Sequence, residues 1–438
     1  MRQHRNITKI AEASVVILCL TCRGPPVDVA EGDNAADFVA LCSLYNLKDA
    51  EEPPEWKEAF ESEDTLLNSI FNANLSVATE SWLKNKDNTL DGKEGTSERK
   101  VALQAWLKDV EEREKQKPDP NKADTYAPVP DTPYKMLANV TIINIHKRAT
   151  DITKIYKEAK ETVKEAHGAA MTYITDAIYS KGKKGYDGAG MANPKSNNCG
   201  AGNTGNAAVG LSIINDLICL CASAGSPATK VCGKEAFGPV GSDPVSTAAT
   251  VGKAIVAACP KGPKSQVLSA SLIRSKLAAF YARIGANPGA ETNAAVRYIL
   301  GKATTSGCEG SSDKECVNYK AQLKDTGTGI TWANQLEAAT QTTEAAWLAY
   351  AKVNSVGEQL KTLKQEAESA RHAAKTGIQL PTLTTAVTPK PSEQTTKEED
   401  CNKKGENECT SPCKVVNEEG GKKKCKLSEE AKQAGKEA

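Results

Sequence analysis

The chain has 438 residues, with 56 Lys+Arg against 55 Asp+Glu and a formal net charge of +1. That balance supplies no field for nucleic acid or an anionic membrane, and 5% aromatics are too few for a base-stacking surface. A mean hydropathy of −0.46, with no apolar run near 18 residues, argues against a bilayer-spanning helix, and the abundance of Ala, Thr, Lys and Glu favours helices packed through small side chains over a β-sandwich.

The chain opens with Arg2, His4, Arg5 and Lys9, followed by an apolar run from Val15 to Leu20 and a break at Arg23-Gly24-Pro25-Pro26. This pattern predicts a secretory signal peptide over residues 1–24. Of the 14 cysteines, Cys19 and Cys22 would leave with it. Twelve remain, an even number, as in an oxidised extracellular protein.

Residues 25–376 read as a helical N-terminal domain. Its first part, 28–125, consists of helical pieces broken at Pro53-Pro54 and Asp91-Gly92 and ending at Pro118 and Pro120. A long helical pattern follows from Pro133 to Ser180. Residues 182–329 form an insertion rich in Gly, Ser, Asn and Pro that holds seven cysteines. A second long helix is predicted from about Trp332 to Lys375. Residues 377–400, with Pro381, Pro389 and Pro391 among Thr, Lys and Glu, read as a flexible linker. Residues 401–438 form a small module with four cysteines and many lysines.

Steps of four and three along the first long helix pick out Ile145, Ala149, Ile152, Tyr156, Ala159, Val163, Ala166, Ala170, Tyr173 and Ala177. The second gives Ala349, Val353, Val356, Leu360, Leu363, Ala367, Ala370 and Ala374. A 3.5-residue repeat keeps one seam facing a partner helix along its whole length. The expected fold is therefore mainly α: an elongated antiparallel coiled-coil hairpin about 70 Å long at ~1.5 Å per residue. A disulfide-pinned, loop-rich lobe caps one end, and a small disulfide-rich C-terminal domain follows. Cys42, Cys199, Cys219, Cys221, Cys232, Cys259, Cys308 and Cys316 are expected to brace the large domain, and Cys401, Cys409, Cys413 and Cys425 the small one. Each bridge would contribute about 2–4 kcal/mol. Spacing alone leaves the connectivity open.

No catalytic, cofactor-binding or metal-ligating set emerges. Gly200-Ala201-Gly202-Asn203-Thr204-Gly205 matches the dinucleotide fingerprint by letter, but the polar stretch Asn193–Asn198 cannot be the buried strand that motif needs. His146 and His167 are three heptads apart, about 31 Å along a helix, and cannot share a metal. The last four cysteines have no histidine near them, which favours disulfides over zinc. Asn6-Ile7-Thr8 would leave with the signal, and the two sequons that survive it, Asn74-Leu75-Ser76 and Asn139-Val140-Thr141, are candidate N-glycosylation sites.

Signal, coiled hairpin, cysteine-bearing insertion, linker and terminal module together resemble the variant surface glycoproteins of African trypanosomes. The most specific stretch is CNKKGENECTSPCKVVNEEGGKKKCKLSEEAKQAGKEA, Cys401 to Ala438, which is similar to that family's C-terminal cysteine module. Asp33-Asn34-Ala35-Ala36-Asp37-Phe38-Val39-Ala40-Leu41-Cys42 is similar to the start of its class B N-terminal domains. The resemblance implies a cell-surface coat protein without catalytic activity that shields the membrane from host antibodies and undergoes antigenic variation. It also implies a homodimer, a glycosylphosphatidylinositol anchor in the plasma membrane, and no cofactor or nucleic-acid partner. An O-linked sugar on a lobe serine would fall at Ser311 or Ser312. The polar ending Gly435-Lys436-Glu437-Ala438 lacks the family's apolar tail, so the module is expected to be truncated and the anchor residue to lie beyond it. The competing expectation is a surface receptor on a related helical scaffold that binds a host serum protein. Such a receptor would need a ligand patch, and no aromatic-rich cluster stands out in the sequence.

Overall fold

The computed structural model describes residues 29–79 and 128–377, apart from breaks at 189, 192, 224–229, 242–243, 288, 290–294 and 312–313. It also describes positions 104, 107, 108 and 111, and in the C-terminal part 409, 413–417 and 423–428. The predicted signal peptide and nearly all of the predicted linker lie outside these residues. Packing divides the chain into two compact units, 1–372 and 373–438.

The first unit is helical. Helix α1 spans Ala35–Tyr45 and α2 spans Glu63–Val77, the latter capped by Ser62, whose hydroxyl accepts from Thr65 N at 3.1 Å. Helix α3, Pro133–Tyr179, starts with Thr132 as N-cap and a proline in its first turn. It stops where Ser180 and Gly182 take positive φ, and Asp176 Oδ1 accepts Gly182 N at 2.8 Å. Helices α4 (Ile213–Cys221), α5 (Val245–Ala257) and α6 (Ala270–Tyr281) follow. Strands β1 (Ile299–Leu300) and β2 (Val317–Asn318) pair antiparallel. Helix α7, Thr331–Thr376, closes the series.

Three contacts at different heights show α7 running antiparallel to α3. Near one end Ile174 and Ala177 share a core with Trp332 and Leu336. Midway, Gly357 lies against the ring of Tyr156. At the other end Arg371 donates to Ser76 of α2 at 3.0 Å, and Asn139 of α3 donates to the neighbouring Val77 carbonyl at 2.8 Å. These last contacts reveal α2 as a third helix of the bundle. It lies antiparallel to α3, with Glu63 at its start paired to Lys160 at 3.2 Å. Leu66, Ile70, Phe71, Ala73 and Val77 bury its inner face.

All eight seam positions expected on α7 are buried. On α3 the seam drifts: Thr153 and Ile174 are buried in place of Ile152 and Tyr173, and Tyr173 is 37% exposed. From Ala138 to Ile174 the buried row takes ten steps over 36 residues, the 3.6 period of an ordinary α-helix. A strict heptad count slips by about 20° per repeat against that period.

The lobe wraps the end where α3 and α7 are joined. Its core gathers Phe38, Leu41 and Leu44 of α1, the α4 residues Ile213–Cys221, Ile273 and Phe280 of α6, and the facing ends of α3 and α7. Helix α1 therefore belongs to the lobe, although it is far from the insertion in sequence. In the second unit β3 (Cys413–Asn417) and β4 (Lys423–Leu427) pair antiparallel, with Val415 opposite Cys425.

Candidate functional site

Covalent bracing of the lobe comes from four bridges. Cys42–Cys259 ties α1 to the residues just after α5, across 217 positions. Cys199–Cys219 holds the one-turn helix Ser196–Cys199 against α4. Cys221–Cys232 and Cys308–Cys316 close short loops. In the terminal module Cys409 is joined to Cys425, and Cys413 is also disulfide-bonded. Cys401 lies outside the described residues. Three of the four lobe bridges fasten a loop or one-turn helix to α1 or α4 of the core, restricting the unfolded chain.

Sequence inspection missed a set of buried polar groups that tie these loops together. The side chain of Asn34 is fully buried and makes three backbone hydrogen bonds. Its Nδ2 donates to Leu220 O at 3.0 Å and Glu315 O at 2.7 Å, and its Oδ1 accepts Lys302 N at 2.8 Å. Asp216 on α4 accepts Tyr319 Oη at 2.7 Å, Trp332 Nε1 at 2.6 Å and Gly210 N at 3.2 Å. Burial pushes the Asp216 carboxyl up to about 7, against the pull of these three donors. Lys195 is 2% exposed and donates to Gly310 O at 2.8 Å and to Ala222 O. Burial pushes its amine down to about 7, opposed by the nearby Glu315. Asp37 accepts Arg283 Nε at 2.7 Å, and burial raises its carboxyl despite that partner. Asn34, Asp37, Lys195 and Asp216 are themselves buried, and each joins segments far apart in the chain. They hold loop geometry; Asp37 and Asp216 stand out in the sequence as polar residues inside apolar runs, whereas Asn34 and Lys195 lie in polar stretches and carry no such mark.

The Gly200–Gly205 stretch is a loop crossing, with no strand before it. Gly202 forms an isolated antiparallel bridge with Cys308. A Cβ on Gly200 would stand 2.5 Å from Asn318 Cβ, and one on Gly202 2.9 Å from Ser306 O, so the glycines serve close backbone approach.

The two sequons differ in placement. Asn74 is 5% exposed inside the three-helix section, leaving no room for a glycan in this fold. Asn139 is half-buried, with Nδ2 on Val77 O. Ser311 is half-buried beside the Cys308–Cys316 loop, and Ser312 lies outside the described residues.

An aromatic cluster absent from any local pattern forms where residues 54–60 cross α7. Trp56 lies 5.6 Å from Trp347, Trp347 lies 5.7 Å from Tyr350, and Tyr350 lies 5.9 Å from Phe60, centroid to centroid. Trp56 is buried, the others are half-buried, and Leu348 beside them is exposed. Residues nearly 300 apart in the chain build it, which is why no aromatic-rich cluster stands out in the sequence. His146 packs its ring on Phe71 at 5.5 Å. Among the described residues no group of three His, Cys, Asp or Glu is placed to hold a metal, and no helix is long and apolar enough to cross a membrane. An open pocket of about 330 Å³ is lined by Asn46, Asp49 and the 261–266 loop, and no buried ionisable side chain lines it.

A family model described as a trypanosomal VSG domain matches residues 16–362. The chain is 29% identical over 451 aligned residues to variant surface glycoprotein WRATAT A of Trypanosoma brucei rhodesiense, covering 93% of this chain and 89% of that one. It is 26% identical over 336 residues to variant surface glycoprotein ILTAT 1.21 of Trypanosoma brucei brucei, covering 71% and 67%.

Proposed function

The chain belongs to the trypanosomal VSG family, whose model spans most of its length, and from that premise we propose that it is a variant surface coat glycoprotein. In this reading it works by bulk and position, with no catalytic activity. Copies crowd the outer face of the plasma membrane, held by a glycosylphosphatidylinositol anchor, and keep host antibodies from the surface beneath. The lobe loops present the epitopes that vary, and the protein acts as a homodimer.

The observation that carries this reading is the division of labour in the first unit. Two helices of 47 and 46 residues pair antiparallel on a seam of small and aliphatic side chains. The lobe at their joined ends is held by four disulfides and by buried side-chain bonds to backbone atoms. Bonds of this kind constrain geometry and leave exposed loop side chains free to change.

The test uses intact cells expressing the full-length precursor, treated with phosphatidylinositol-specific phospholipase C. Release of this chain as the dominant surface protein supports the coat reading. Slight release, with a host serum protein co-purifying through this chain, transfers the assignment to a receptor. The Trp56–Trp347–Tyr350–Phe60 cluster would then be the first surface to mutate, since half-exposed aromatics are the usual anchors of a binding patch.

A further inference from the structure

The densest run of exposed large apolar side chains among the described residues lies at the start of α3. Met136 is 72% exposed, Leu137 66%, Val140 56% and Ile143 47%. At 100° per residue these four fall within one third of the helix circumference, on the side away from the seam residues Ala138, Ile142 and Ile145. A row this apolar is an uncovered surface and needs an occupant.

The chain outside the described residues begins and ends beside it. Val129 N donates to Ser76 O at 2.8 Å, and Asn139 Nδ2 donates to Val77 O at 2.8 Å. The 48 residues from 80 to 127 therefore leave and return at the level of Asn139, between Leu137 and Val140 of the stripe. Within that stretch Leu103, Trp106, Leu107 and Val110 recur at the i, i+3, i+4, i+7 spacing of one helical face. The four described positions there agree: Gln104, Leu107, Lys108 and Glu111 are helical, the three polar ones are exposed and Leu107 is half-buried.

We propose that the Leu103–Trp106–Leu107–Val110 face of this chain docks on the Met136–Leu137–Val140–Ile143 stripe of α3. Tethering at both ends favours this over a second copy, because an intramolecular partner confined near the stripe is present at millimolar effective concentration. The stripe would then be closed within one chain, and any homodimer must form through another surface.

The test places the photo-crosslinker p-benzoylphenylalanine at Val140 in the full chain. The expected product runs at monomer mass and joins position 140 to the peptide containing Leu103–Val110. A product at dimer mass overturns the proposal and assigns the stripe to a second copy; a product joined elsewhere, or none, also overturns it. Val140→Glu gives a separate measure by hydrogen exchange. Amides of 101–111 should exchange at least tenfold faster while those of α4 in the lobe stay protected. Unchanged exchange in 101–111 sinks the proposal.

Discussion

Gly357 of α7 faces Tyr156 of α3 so closely that a Cβ built on it would stand 3.4 Å from the tyrosine ring. The Tyr156 hydroxyl meanwhile donates to Glu61 O at 3.0 Å, just before α2. One tyrosine thus touches all three parts of the bundle at mid-height, and the glycine gives it room. Gly357→Ala should fit at van der Waals contact and gain about 0.5–1 kcal/mol from helix propensity. Gly357→Leu should displace the ring and lose about 1–3 kcal/mol. Thermal unfolding of the two variants reads the opposite signs.

Asp216 is the shared acceptor of two buried donors, Tyr319 and Trp332. Asp216→Ala leaves both unpaired and should cost about 3 kcal/mol or more. Asp216→Asn, whose amide oxygen can still accept, should cost clearly less. Equal losses in urea unfolding would show that volume, and not hydrogen bonding, decides the site.

Lys195 and Asp216 act on pH dependence with opposite signs. The lysine keeps its proton up to about 10.5 when unfolded and only up to about 7 in the fold. Between those values the unfolded chain binds more protons, so this contribution rises with pH and is lost as pH falls through about 7. Asp216 is raised from 3.8 to about 7, so its contribution is present in acid and lost as pH rises through about 7. The stability difference between wild type and Lys195→Met should therefore move in favour of wild type from pH 7 to 9. Parallel profiles for the two proteins would refute the lysine's part.

Disulfide removal should rank by loop length. Chain entropy gives about 5 kcal/mol for closing the 217-residue separation of Cys42–Cys259 and about 2.5 kcal/mol for the 8-residue separation of Cys308–Cys316. Paired Cys→Ser variants, compared by denaturant midpoint, should keep that order.

Glycan occupancy should separate the two sequons. A glycosylated asparagine keeps one N–H, so Asn139 can carry a sugar and still donate to Val77 O, whereas Asn74 is enclosed by the bundle. Peptide mass spectrometry after enzymatic deglycosylation should find Asn139 modified and Asn74 bare. A sugar on Asn74 would mean that α2 is not packed as described.

What the sequence determined by itself is what repeats locally. The apolar rows of α3 and α7, their lengths to within a residue or two, and the even cysteine count all follow from patterns within one helix or one compartment. Even the drift at Thr153 and Ile174 comes from helical geometry, the 3.6 period overtaking a 3.5 count. Tertiary structure alone decided the rest: α2 as a third helix, α1 in the lobe, Cys42 with Cys259, Asn34 among loops nearly 300 residues away, and Trp56 against Trp347. These relationships depend on where the chain returns after long excursions. A neighbour in space carries no mark in local periodicity, so a buried asparagine or aspartate reads as any polar residue until its donors and acceptors arrive from elsewhere.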